Sequence, residues 1–143
     1  MNALEDLLGS EEPHATFHDA RLLDVAYDPV ARTAALTAQL CTGNPDAGRA
    51  ATRERRRTGV LELRGVAHWR DDGGPLNGAP PGIWLADDGP LAKARGRGAR
   101  ELARHLRADQ VGWYFFLADS NSYLYWVATD AAFRWMPDGA RDA

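Results

Sequence analysis

The sequence predicts an α+β fold: a mostly antiparallel sheet of five or six strands, with one main helix near residues 98–108 packed on one face. Three observations lead there. Alternating apolar runs come in two pairs, around residues 21–40 and 113–128, and each pair is joined by a short turn signal. Only the stretch from Ala99 to Leu106 carries a clear helical period, with Ala99, Leu102, Ala103 and Leu106 at spacings of three and four. What remains is short alternation or clusters of Gly, Pro and charged residues.

Taken in order, residues 2–9 form a short helix with Leu4, Leu7 and Leu8 on one face and Glu5 and Asp6 near its start. Pro13 keeps the chain extended after it. In "RLLDVAYD" Leu23, Val25 and Tyr27 alternate with Asp24 and Ala26. "DPVART" is a turn, and "TAALTAQLCT" places Leu36, Ala38 and Leu40 opposite Thr37 and Gln39. These two runs are expected to pair as a hairpin. A third strand, "GVLELRGVAHW", sets Leu61, Leu63, Ala67 and Trp69 on one face and is expected to kink or bulge near Gly65. "IWLAD" reads as a brief edge strand. In the last third, "DSNS" turns the chain between Trp113–Ala118 and Tyr123–Ala128, a second hairpin with large side chains on both faces, and "AAFRWM" adds a short strand. A sheet apolar on both sides must be covered on both, by a helix, a loop or a partner subunit.

The 143 residues suit one domain, 1–143, with 43–58 and 70–82 as exposed loops; the second holds four Gly and three Pro within "RDDGGPLNGAPPG". The formal charge of −3 gives no overall drive toward nucleic acid or anionic membrane. Cys41 is the single cysteine, so no internal disulfide or thiolate metal cluster can form. The acidic N-terminus does not read as a signal peptide, and no apolar run reaches membrane-span length. The expectation is a cytoplasmic protein with no cofactor and no metal.

Three groups of residues are candidates for chemistry. In "PHATFHDARLLDVAYDP", His14 and His18 are four apart, a ligand spacing only if the segment is helical, which Pro13 opposes. Asp19 would orient His18, and His18, Asp19 and His68 would form a ligand pocket if the first and third strands are neighbours. The competing reading makes this stretch a structural corner, with Phe17 inward and Asp19 binding backbone N–H groups. Two basic tracts are the other candidates. Residues 49–64, with Arg53, Arg55, Arg56 and Arg57, carry a local +4, and residues 91–107, with Arg97, Arg100 and Arg104, a local +5. They would make an anion-binding face if they converge. Nucleic acid is not the expected partner, because the aromatics lie in alternating strands where core packing explains them. "ARGRGAR" lacks both the Lys-Ser/Thr end of a phosphate loop and the third glycine of a dinucleotide fingerprint.

The residues Phe17, His18, Asp19 and Leu22, followed by Tyr27 and Asp28, resemble a pattern in small uncharacterised bacterial α+β proteins, some of them immunity-protein-like. The likeness spans residues 17–40, and it implies an aromatic–His–Asp corner before the first strand but no catalytic role for His18. The leading expectation is therefore a non-enzymatic structural or protein-interaction module, with a homodimer as one form of partnership. The alternatives are a small-ligand-binding protein or hydrolase using His18, Asp19 and His68, and a nucleic-acid module using the basic tracts.

Overall fold

A computed structural model describes residues 4–73 and 82–137. A 3-10 turn, Leu4–Leu8, precedes β1 (Thr16–Asp28) and β2 (Thr33–Cys41). Then come α1 (Ala50–Arg53), β3 (Arg56–Arg64), β4 (His68–Asp71) and β5 (Ile83–Pro90). The main helix α2 (Arg97–Arg104) leads to β6 (Val111–Leu117), β7 (Ser122–Ala128) and β8 (Asp130–Trp135).

The fold is α+β with an antiparallel sheet and one main helix, but the sheet has eight strands rather than five or six, in the order β4-β7-β6-β5-β1-β2-β3-β8. The number rises because the third expected strand divides into two and because the short segments at 83–87 and 131–136 are full members of the sheet. The kink expected near Gly65 is there and separates β3 from β4, while Thr129 separates β7 from β8. The bends lie against each other. Gly65 has φ +62°, and a Cβ on it would collide with the Thr129 hydroxyl. The Thr129 amide donates to the carbonyls of Arg64 (3.1 Å) and Gly65 (3.2 Å). Since β3 pairs with β8 and β4 with β7, the two bent strands stay paired on both sides of the corner. The remaining pairings, β7–β6, β6–β5, β5–β1, β1–β2 and β2–β3, bring the hydrogen-bonded ladder back to its start. The sheet curls into a ring with one inner face.

That inner face is the main core. On β2 it takes Ala34, Leu36, Ala38 and Leu40, as alternation requires, and on β3 it takes Leu61 and Leu63. On β1 a register shift between Leu22 and Asp24 changes the phase, so Leu22 and Val25 are both buried and Leu23 is not. Phe17, Trp113, Phe115, Leu117, Leu124 and Trp126 fill the interior, and Leu4 and Leu8 of the N-terminal turn close one end. The outer face of β6 and β7 is apolar as well, and α2 covers it: Ala99, Leu102, Ala103 and Leu106 pack with Leu91 and Ala94 on Tyr114, Tyr125 and Val127.

Three further expectations change. "IWLAD" is no edge strand: β5 lies between β1 and β6 and runs on to Pro90. The 43–58 loop contains α1 and the first residues of β3. Within the 70–82 loop, Arg70 and Asp71 belong to β4, and residues 74–81 lie outside the described residues.

The corner yields a test. Gly65→Ala is expected to cost about 2 kcal/mol, since it combines a left-handed φ with a collision against Thr129. Adding Thr129→Ala removes the collision but not the backbone strain, so the double variant recovers part of the loss relative to Thr129→Ala alone. Urea midpoints of all four proteins measure this, and strictly additive costs would refute the proposed contact.

Candidate functional site at the β1 bulge

Asp19 lies where β1 is irregular: the register jumps between Thr16 and Arg21. Its φ of +63° is left-handed, a conformation Asp tolerates better than most residues. Several groups hold it. Its carbonyl accepts from the Arg56 guanidinium (3.1 Å), with the Cys41 thiol 3.8 Å away, and Oδ1 accepts from the Trp84 indole N–H (3.0 Å). The His18 imidazole lies 3.6 Å from Oδ2, and the His18 amide donates to the Thr16 hydroxyl (3.1 Å). The carboxylate was expected to bind backbone N–H groups; its partners are instead an indole and an imidazole.

Trp84 is the centre of this surface. The residue is 37% exposed, and its ring lies 5.5 Å from the Arg21 guanidinium, a cation–π arrangement. Its amide donates to Asp119 Oδ2 at 2.6 Å, which ties β5 to the turn between β6 and β7. Sequence reasoning did not single out Trp84 or Arg21. The pairing of Arg21 with Trp84 across β1 and β5 follows strand order, which alternation does not encode.

His68 is not part of this cluster. It is exposed on β4, and its neighbour Trp69 stacks on Tyr27 at 4.7 Å. Tyr27 lies nine residues beyond His18 on the same strand, which places the two histidines on the order of 25 Å apart along the sheet. The structure does not bring His18, Asp19 and His68 together. His14 is exposed before β1 starts, so the four-residue spacing spans no helix. Among the described residues, no group of three or more His, Cys, Asp or Glu could hold a metal ion.

The basic tracts divide. Arg55 and Arg57 converge on Glu12, which is only 4% exposed. Arg55 gives it a bidentate pair (3.1 and 3.0 Å) and Arg57 a third bond at 3.0 Å. Arg57 also donates to the Met136 carbonyl and lies 5.3 Å from the Trp135 ring. Arg53 binds the carbonyls of Ala47 and Gly48, and Arg56 that of Asp19. The first tract thus fastens the chain to itself. Arg97, Arg100 and Arg104, by contrast, are exposed on α2 and line one recess with Glu101.

Sequence reasoning also missed the paired aspartates of β5. Asp88 accepts from the Trp113 indole (2.8 Å) and Asp87 from the Tyr114 hydroxyl (3.0 Å), so adjacent carboxylates serve opposite faces of the sheet. Burial pushes Asp88 up to about 6. The Trp113 hydrogen bond offsets part of that, Glu5 and Asp87 add to it, and His18 opposes it. Burial, followed by the bond to Asp87, pushes Tyr114 up to about 12.

Two outcomes follow. Glu12→Ala removes the buried carboxylate that Arg55 and Arg57 share, leaving Arg57, whose side chain is only 10% exposed, with the Met136 carbonyl and Glu11 at 3.4 Å, and is expected to destabilise the fold by about 2 kcal/mol in urea. The Asp88 carboxyl binds its proton more tightly folded than unfolded, so its contribution to stability is present below pH 4 and is lost as pH rises to about 6. Asp88→Asn keeps an acceptor for Trp113 and abolishes that loss. Above pH 6 it should exceed the wild type by about 1 kcal/mol, a value reduced from the full shift for partial exposure. A wild-type-minus-variant difference that stays constant from pH 4 to 7 would contradict the assignment.

No family model matches the chain, and no curated protein matches it. Among solved structures the chain is similar to an uncharacterised protein from Neisseria gonorrhoeae, at 8% identity over 84% of this chain and 94% of that one, with a TM-score of 0.46. This is a likeness of outline that bears on neither function nor site residues.

Proposed function

We propose that this protein is a non-enzymatic interaction module that binds a protein surface through the outer face around Trp84. The observation that carries this reading is an exposed tryptophan held from three sides, by Asp19 at the indole N–H, by Arg21 over the ring and by Asp119 at the backbone. Trp and Arg are enriched among the residues that dominate protein–protein binding energy. A ring already fixed in place loses little freedom when a partner covers it, so more of its contact area appears as affinity. His18 and Arg56, both in contact with Asp19, add donors and acceptors suited to a polar rim beside it. The bulge at Asp19 has a role here, because it turns the carboxylate outward to where the indole lies.

Panning a random-peptide library against the folded protein tests this. Enriched peptides should bind Trp84→Ala about thirtyfold more weakly, the loss of roughly 2 kcal/mol that a dominant interface aromatic carries. Trp84→Phe, which keeps a ring and loses the bond to Asp19, should fall between. Peptides that bind Trp84→Ala as tightly as the wild type would overturn the reading.

A further inference from the structure

The second basic tract has a different character from the first. The guanidinium groups of Arg97 and Arg100 make no hydrogen bond or ion pair with any described residue, and both residues are exposed. Arg104 pairs with Glu101 at 3.2 Å, and Glu101 also lies 3.4 Å from His105. At positions i, i+3 and i+7 the three arginines share one face of α2, about 10 Å from first to last at 1.5 Å per residue. The opposite face is anchored on Tyr114, Tyr125 and Val127, so the cationic row is presented on a fixed support. Lys93 and Arg95 extend the same positive segment on its N-terminal side. Arg70 of β4, itself paired with Asp72 at 2.8 Å, lies beside it: a Cβ at Gly98 would be 3.2 Å from the Arg70 guanidinium, so the glycine leaves room for that side chain beside the helix. A glycine inside a helix costs about 1 kcal/mol relative to alanine.

We infer that the Arg97–Arg100–Arg104 face of α2 is a docking surface for an acidic segment of a partner protein. The argument is charge complementarity. In a chain of net charge −3, a concentrated positive row with no internal counter-charge at two of its three members attracts carboxylates, and guanidinium groups bind carboxylates in bidentate geometry. Carboxylates three and four residues apart on an acidic helix match the spacing of the row. A single-stranded nucleic acid fits less well. It needs rings to stack on, whereas the tyrosines beneath α2 are buried, with the Tyr114 hydroxyl bonded to Asp87 and the Tyr125 hydroxyl to the Arg95 carbonyl. A long polyanion also meets the overall negative charge.

The probe is a fluorescein-labelled helical peptide with glutamates at positions 1, 4, 8 and 11, titrated with the full chain and followed by anisotropy. At low salt the wild type should bind it, and binding should weaken steeply with added salt. Arg100→Glu should weaken binding at least tenfold. Arg49→Glu, the same charge change at an exposed arginine away from α2, should alter it less than twofold. Arg100→Gln, which removes charge without adding an acid inside the row, should fall between and guards against a misfolded variant. Trp84→Ala should bind the acidic peptide as the wild type does, which keeps failure here separate from failure of the Trp84 surface. No binding at low salt, equal losses in Arg49→Glu and Arg100→Glu, or tighter binding of an oligothymidine with the same dependence on Arg100 would each overturn the inference.

Discussion

The rest of the molecule depends on the corner where Gly65 meets Thr129. Two strands bend there together and remain paired on both sides, and that shared bend lets an open antiparallel sheet close on itself. Closure distinguishes an inside from an outside for every residue. Alternate side chains enter a common core, and the others face solvent or α2. It also removes most of the exposed strand edge that an eight-stranded sheet would carry. A residue with a Cβ at position 65 would press on the Thr129 side chain and strain the shared bend, which is why a left-handed glycine stands there.

Closure also decides where binding can occur. The interior is filled by Phe17, Phe115, Trp126 and a set of leucines, so the middle of the ring serves as a core. Polar chemistry is pushed to the rim and the outer face. At the rim, Asp88 and the Trp113 indole satisfy each other near Glu5 and His18. On the outer face, the bulge of β1 turns Asp19 toward Trp84, and α2 lies over β6 and β7. Glu12, Arg55 and Arg57 lock the N-terminal segment against β3 and β8, with Trp135 bonded to the Leu8 carbonyl. The N-terminal turn that closes the core is held in place by these contacts.

Period-two alternation made much of this legible. The hairpin of β1 and β2, that of β6 and β7, the bend at Gly65 and the need for a cover over the second apolar face all follow from side-chain pattern and from glycine's tolerance of positive φ. Two things were not legible, for physical reasons. Bulges depend on tertiary contacts, and neither the one at Asp19 nor the shift between Leu22 and Asp24 is marked by a glycine, so the change of phase that leaves Leu23 outside the core was hidden. Neighbour relations between distant strands are set by the closed ring. The meeting of Trp84 with Asp19 and the separation of His18 from His68 therefore became visible only once strand order was known. Arginine content misled in a similar way, because composition cannot tell a guanidinium that fastens Glu12 from one that faces solvent.

That last distinction separates the two surfaces by their physics. The Trp84 surface carries charge of both signs, with Arg21 and Arg56 beside Asp19 and Asp119. What it offers is shape and apolar area held rigidly, terms that vary little with salt. The α2 face offers charge on an anchored helix, with little exposed apolar area, and charge acts at a distance, speeding encounter and orienting a partner before contact. The helix covers β6 and β7, while Trp84 stands on β5 beside β1, so the two surfaces sit on neighbouring strands of one ring. A partner with an acidic segment next to an apolar one would be drawn to the helix and held at the tryptophan. The closed sheet carries both surfaces on one hydrogen-bonded frame.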